Sequence, residues 1–121
     1  MRRILALVAA AAVAAFAAAP AATKPQPLLD CAGRDAPFSI DSPFVDILLS
    51  PAARGLAVEA TGMDLTKMPP IFVGTKPPTF AAILTIKEAG AFAGFDPKVL
   101  PALDTKLRAL PVTRADKIAR C

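Results

Sequence analysis

The sequence contains no histidine, no tryptophan and no tyrosine. Without histidine the chain lacks the usual general base at neutral pH and the commonest protein ligand for transition metals. Without tryptophan or tyrosine, and with its lysines and arginines scattered singly, it has little with which to stack and hold nucleic-acid bases. Two cysteines cannot complete a zinc site, which takes four ligands. We therefore expect no metal, no cofactor and no nucleic-acid partner.

The amino end has the three parts of a secretory signal peptide, which we assign to residues 1–21. Arg2 and Arg3 form the charged part, an alanine-rich apolar stretch follows, and small residues flank Pro20 before the predicted cleavage after Ala21. A retained membrane anchor is the alternative, but the apolar stretch is shorter than the roughly 20 residues that span a bilayer. The pattern predicts a periplasmic or secreted protein that meets the membrane only during export.

Cleavage would leave a small, nearly neutral domain with two cysteines. The full chain has a formal net charge of +4 from 14 basic and 10 acidic residues; without Arg2 and Arg3 that charge is +2. In an oxidising compartment an even pair of cysteines predicts a disulfide, here Cys31–Cys121. Closing so long a loop stabilises a domain by about 4–5 kcal/mol on the chain-entropy model. A free, nucleophilic Cys31 is the alternative, although no histidine is present to activate it.

Helix-start signals divide the rest of the chain into short helices. Ser-Pro pairs predict helices over 43–50 and 51–61, with Gly62 ending the second. Thr79 is predicted to cap a helix over 80–93. Asp96-Pro97 opens the next helix, and Thr113 with Asp116 predicts a last helix over 114–120.

Between the helices, two Pro-Pro pairs predict a loop that contains the only strand-like run, Ile71–Val73. We therefore predict a mainly α fold, a small bundle of four to five short helices with proline-rich connections. Its predicted parts are the signal peptide, a proline-containing irregular arm over 22–41, and one helical domain over 42–121.

Four leucines recur at spacings of three and four in the predicted helix after Asp96: Leu100, Leu103, Leu107 and Leu110. This stripe is typical of an amphipathic helix that packs its apolar side on the core of its own domain. The alternative is that the stripe is an interaction face that docks on a protein partner.

The early part of the mature chain holds four aspartates: Asp30, Asp35, Asp41 and Asp46. A carboxyl group with a raised pKa supports acid–base chemistry, so a small carboxylate-dependent hydrolase is one hypothesis. Structural roles account for these residues more simply: a helix start for Asp41, a polar arm for Asp30 and Asp35, and contact with water for Asp46. We assign no catalytic residue and leave open whether the chain is an enzyme.

Three stretches, "PLLDCAGRDAPFSIDSPFVDILLSPAA", "PPTFAAILTIKEAGAFAGFDP" and "LRALPVTRADKIARC", resemble the region that precedes the trehalose-utilisation-like domain in exported bacterial proteins. In that family the named domain is α/β and follows the region that is similar to this chain. The resemblance carries no functional residue over and implies only a loose connection with sugars.

These observations predict an exported helical module with a non-catalytic scaffold or interaction role, accessory to a carbohydrate-related system. The alternative from the resemblance is an N-terminal fragment of a trehalose-utilisation-like protein whose active domain is missing or lies on another chain. A protein partner is expected for such a module.

Overall fold

The structure, a computed structural model, describes residues 25–121 and has the mainly α fold that the sequence predicts. Its six α-helices are α1 (Phe44–Leu49), α2 (Pro51–Thr61), α3 (Pro70–Val73), α4 (Ile86–Ala93), α5 (Leu100–Arg108) and α6 (Arg114–Arg120). No β-strand occurs within 25–121. The predicted signal peptide over 1–21 lies outside the described residues. Over the described range, no helix is both long enough and apolar enough to cross a membrane.

Helices α1 and α2 meet at a corner that the Ser-Pro pattern predicts. The Ser50 hydroxyl accepts a hydrogen bond from the backbone N–H of Ala53, and Gly62 ends α2 in the left-handed conformation at φ 67°. Glycine adopts that conformation without steric strain because it has no Cβ. The start of α1 differs: Pro43 is the N-cap, and the Ser42 hydroxyl accepts from the N–H of Ser39 instead.

The run predicted to be strand-like is part of a helix. Ile71–Val73 belongs to the single turn of α3, in which the N–H of Gly74 donates to the carbonyl of Pro70 at 2.7 Å. Proline is compatible with the first position of a helix, where its missing N–H would have no intrahelical partner. The prediction that Pro69 and Pro70 keep this stretch in a loop was therefore wrong.

The helix predicted over 80–93 is interrupted. Residues Phe80–Ala82 form one turn of 3₁₀-helix, and α4 begins only after Thr85. The Thr85 hydroxyl accepts from the N–H of Glu88 at 3.2 Å, and the Glu88 carboxylate accepts from the N–H of Thr85 at 3.0 Å, which is a capping box. The carbonyl of Leu84 accepts from the N–H of Phe44 at 2.7 Å, so the break is fixed by a bond to another part of the chain.

The leucines of α5 form part of the core. Leu100, Leu103 and Leu107 are buried, and Leu110 packs against the core from its edge. The other large side chains that are almost wholly buried are Phe38, Phe44, Ile47 and Ile86. In this fold the leucine stripe offers a docking partner almost no surface, because contact with it would require the core to open.

We expect the change Leu103→Ala to lower the free energy of unfolding by about 2–5 kcal/mol, because a cavity would remain where the side chain packs. Urea denaturation of the oxidised protein measures the effect. Lys106→Ala, an exposed position on the same helix, is the control and is expected to change stability by about 0.5 kcal/mol or less. Equal losses for the two variants would contradict the assignment of Leu103 to the core.

Candidate functional site

The two cysteines are joined. Cys31 and Cys121 form a disulfide with their Cα atoms 6.0 Å apart, across 90 residues of sequence. The bond connects the arm, residues 25–41 of the described chain, to the end of α6. This is the pairing predicted from the sequence.

Helix α6 lies against the arm through one basic face. Its start is fixed by a capping box in which the Thr113 hydroxyl accepts from the N–H of Asp116 and the Asp116 carboxylate accepts from the N–H of Thr113. Arg114, Lys117 and Arg120 follow at spacings of three, so all three face the same side. Each contacts the arm, which makes this face the seam between the two ends of the domain.

Arg120 makes the most contacts of the three. Its side chain is only 4 % exposed, and its Nη1 donates to the carbonyls of Gly33, Arg34 and Ala36 at 3.0, 3.0 and 2.6 Å. The guanidinium carbon lies 4.6 Å from the ring centre of Phe38, a distance typical of a cation–π contact. The arm is irregular, so these carbonyls have no ladder or helix partner. Arg120 donates to all three, and the Gly33 carbonyl also accepts from the N–H of Ala36 at 3.2 Å within a turn.

Two of the four early aspartates meet this seam, and their pKa values move in opposite directions. Hydrogen bonds from Arg34 and then from Lys117 lower the pKa of Asp35 to about 2. Burial raises the pKa of Asp46, and the Arg120 guanidinium, whose Nε is 3.8 Å from Oδ2, offsets this only in part. That separation is too long for a hydrogen bond, and Arg120 Nε has no hydrogen-bond partner among the described residues.

The aspartates do not form a recognisable acid–base site. Asp30 and Asp41 are exposed, and they take part in none of the ion pairs found within 25–121. None of the four aspartates lines the depressions of about 620 and 600 Å³ found within residues 25–121. No group of three or more potential ligand residues is close enough to hold a metal ion within that same range.

A second feature, on the central part of the chain, was not predicted. Five apolar side chains form a continuous surface that we call the aromatic face: Ile71, Phe72, Phe80, Ile83 and Phe92. The Phe72 ring is at its centre, with its centroid 5.5 Å from that of Phe80 and 6.3 Å from that of Phe92. Ile83 and Phe92 are 73 % and 69 % exposed, so these side chains project well away from the core.

Hollows flank the aromatic face on two sides. Met68, Phe72, Phe92 and Phe95 line part of a depression of about 620 Å³, within the size range of ligand sites. On the other side, Ile71, Phe80 and Ile83 surround a smaller hollow of about 160 Å³. The chain can therefore receive apolar side chains on both sides of the row of rings.

Gly90 shapes the larger hollow. A Cβ placed on Gly90 would lie 2.6 Å from the Cζ atom of Phe95, so the ring can pack against α4 only because glycine is present there. Phe95 in turn forms one wall of the depression. Local spacing could not reveal this contact, because it depends on the turn at Gly94 bringing the ring back over the helix.

No family model, no curated protein and no solved structure matches this chain. The resemblance to proteins with a trehalose-utilisation-like domain therefore stays a prediction, and the functional argument rests on the geometry above.

We expect Arg120→Met to lower the free energy of unfolding by about 2–4 kcal/mol. The carbonyls of Arg34 and Ala36 would lose their donor, the carbonyl of Gly33 one of its two donors, and the partly buried Asp46 its cation. Arg114→Met is a matched control on the same face. Arg114 is exposed and donates to the carbonyl of Gln26, so its loss is expected to be below about 1 kcal/mol. Chemical denaturation of both oxidised variants measures the difference. Similar values would show that the Arg120 contacts contribute little.

The arm is expected to loosen in acid through Asp35. Its folded pKa is about 2, below the ordinary value of 3.8, so its stabilising contribution is complete above pH 4 and is lost as the pH falls through 2. Asp46 acts in the opposite sense because its pKa is raised, which makes a direct comparison with an Asp35 variant necessary.

Thermal unfolding from pH 7 to pH 2 should show that Asp35→Asn lowers the midpoint at neutral pH and that this difference shrinks below pH 4. Asp30→Asn is the control. A difference between Asp35→Asn and wild type that is constant with pH would contradict the assignment.

Proposed function

We propose that this chain is an exported interaction module, closed by the disulfide, that docks a protein partner on its aromatic face. The observation that carries the proposal is the continuity of that face: Phe72 links Phe80 and Phe92, and the exposed Ile71 and Ile83 extend the same surface. Contiguous exposed apolar surface of this kind marks interaction sites, whereas singly scattered apolar residues do not.

Export is the second part of the proposal. The signal-like sequence over 1–21 supports it, because a charged start, an apolar stretch and small residues before the cleavage position follow in order. The Cys31–Cys121 bond supports it as well, because disulfides persist in oxidising compartments. A periplasmic or secreted location is therefore proposed.

In a scaffold role, one set of residues holds the domain together and another set presents the docking surface. The buried leucines of α5 and the seam between α6 and the arm hold the domain together, while α3, the turn over 80–82 and α4 present the aromatic face. The module then needs no catalytic group of its own. An accessory role in a carbohydrate-related system is the part of this proposal that rests on the resemblance alone.

Photo-crosslinking in the producing cell tests the proposal. A benzoyl-phenylalanine replaces Ile83, and the protein is recovered from the exported fraction with its intact mass recorded. The mass is expected to lack residues 1–21 and two hydrogens, and irradiation is expected to join the chain to another protein.

The same crosslinker in place of Lys106 is the matched control, since this residue is exposed on α5 and lines neither of the two hollows beside the aromatic face. No protein adduct at position 83, or equal adducts at both positions, would refute docking on the aromatic face. Retention of residues 1–21 or of free thiols would refute the export part. An α/β-domain protein as the specific partner would instead favour the alternative in which the active domain lies on another chain.

A further inference from the structure

Two lysines and two carboxylates lie beside the aromatic face, and of these four only Lys76 has no partner found within 25–121. Lys76 lies with Ile71 in a hollow next to the face, and no carboxylate within 25–121 comes within ion-pair distance of its amine. Lys67 lines the larger depression and lies 3.7 Å from Asp64, a loose and exposed pair. Lys76 is therefore the charge beside the face that can pair with a carboxylate of a partner.

The nearby carboxylates are already engaged within the chain. Asp64 accepts from the N–H and the hydroxyl of Thr66, contacts that lower its pKa and keep it ionised. Glu88, one turn before Phe92, accepts from the N–H of Thr85 in the capping box. These bonds hold both carboxylates in fixed positions, whereas the Lys76 amine remains available to a partner.

The size of the face is sufficient for a short segment of a partner. The four most exposed of its side chains are 42–73 % exposed. With Phe72, they offer on the order of 400–500 Å² of apolar surface, given the area of such side chains. A stable interface between two folded proteins takes about 800 Å² of polar and apolar surface together from each partner. A short segment that buries its apolar side chains in hollows needs less surface on this side.

The shape favours a peptide over a flat surface such as a lipid bilayer. Hollows lie on both sides of the row of three rings. The larger one combines the adaptable side chain of Met68 and two of the rings with the polar Asp64 and Lys67. Hollows separated by a ridge accept two apolar side chains of one segment, as peptide-binding grooves do.

From these observations, and resting on the proposed function, we infer that the partner presents a short peptide segment with at least two apolar side chains and at least one carboxylate. The apolar side chains occupy the two hollows beside Phe72, and the carboxylate pairs with Lys76.

Selection from a displayed library of random short peptides tests this inference on the oxidised mature protein. Enriched peptides are expected to share apolar residues and aspartate or glutamate. One enriched peptide is then synthesised with a fluorophore and titrated by polarisation. Ile83→Ser is expected to weaken its binding about tenfold, as expected for loss of one buried aliphatic side chain. Lys76→Glu is expected to weaken binding about tenfold or more at low salt, and by less as salt is added.

Two controls match these changes away from the face. Leu29→Ser removes another exposed apolar side chain and Lys106→Glu reverses another exposed lysine, and neither is expected to alter the affinity. All four variants change exposed positions, and unchanged thermal unfolding midpoints would show that the fold is retained.

The remaining outcomes overturn the inference. In the selection, these are enrichment of basic or wholly polar peptides, or no enrichment at all. In the titration, it is an affinity of Lys76→Glu equal to that of the wild type. A dimer in sedimentation that Phe92→Ser abolishes would show a second copy on the face, and binding to phosphatidylglycerol vesicles that Ile83→Ser abolishes would show a membrane there. If the crosslinker at position 83 still joins a protein specifically, the proposed docking function survives and only the chemistry of the partner is wrong. If that crosslinker finds no protein, the proposed function itself fails.

Discussion

The fold depends on one buried cation, the guanidinium of Arg120. The arm has proline at positions 25, 27 and 37 and forms neither helix nor strand, so its carbonyls cannot find donors in regular structure. Three of them receive hydrogen bonds from Arg120, while Arg114 and Arg34 serve the carbonyls of Gln26 and Leu29. The irregular segment is therefore ordered by side-chain donors, and the Phe38 ring covers the cation from one side.

This contact also explains where the disulfide lies. Arg120 immediately precedes Cys121, and the carbonyls that it binds begin two residues after Cys31. Contacts that place Arg120 on the arm therefore place the two sulfur atoms close together. The covalent and non-covalent links restrain the same two parts of the chain, so the disulfide stabilises an arrangement that the polar contacts also favour. The short helix α6 has a clear role in this arrangement: its spacing of three brings three cations to one side.

The sequence predicted the features that depend on near neighbours. Ser50 before Pro51, and Thr113 with Asp116, indicated helix starts because capping is a contact within one turn. The break before α4 was missed because it depends on Phe44, about forty residues earlier, whose N–H binds the carbonyl of Leu84. The aromatic face was missed for a related reason. Phe72 was assigned to a strand-like run and Phe80 to the start of a helix over 80–93, and spacing alone could not show that the rings would stack at the surface.

The exposed rings and the closed ends are physically connected. Apolar side chains left on the surface contribute less to folding than buried ones, so a domain of this size that exposes Ile83 and Phe92 has a smaller core to rely on. The disulfide between the arm and α6 restricts the unfolded chain. The hydrogen bonds and ion pairs between the same two segments stabilise another part of the molecule. The fold can therefore keep an apolar surface available without depending on its burial. Proline at positions 69, 70, 77 and 78 restricts the backbone beside that surface, which reduces the entropy lost when a partner binds. An ordered apolar surface of this kind is what a small docking module requires.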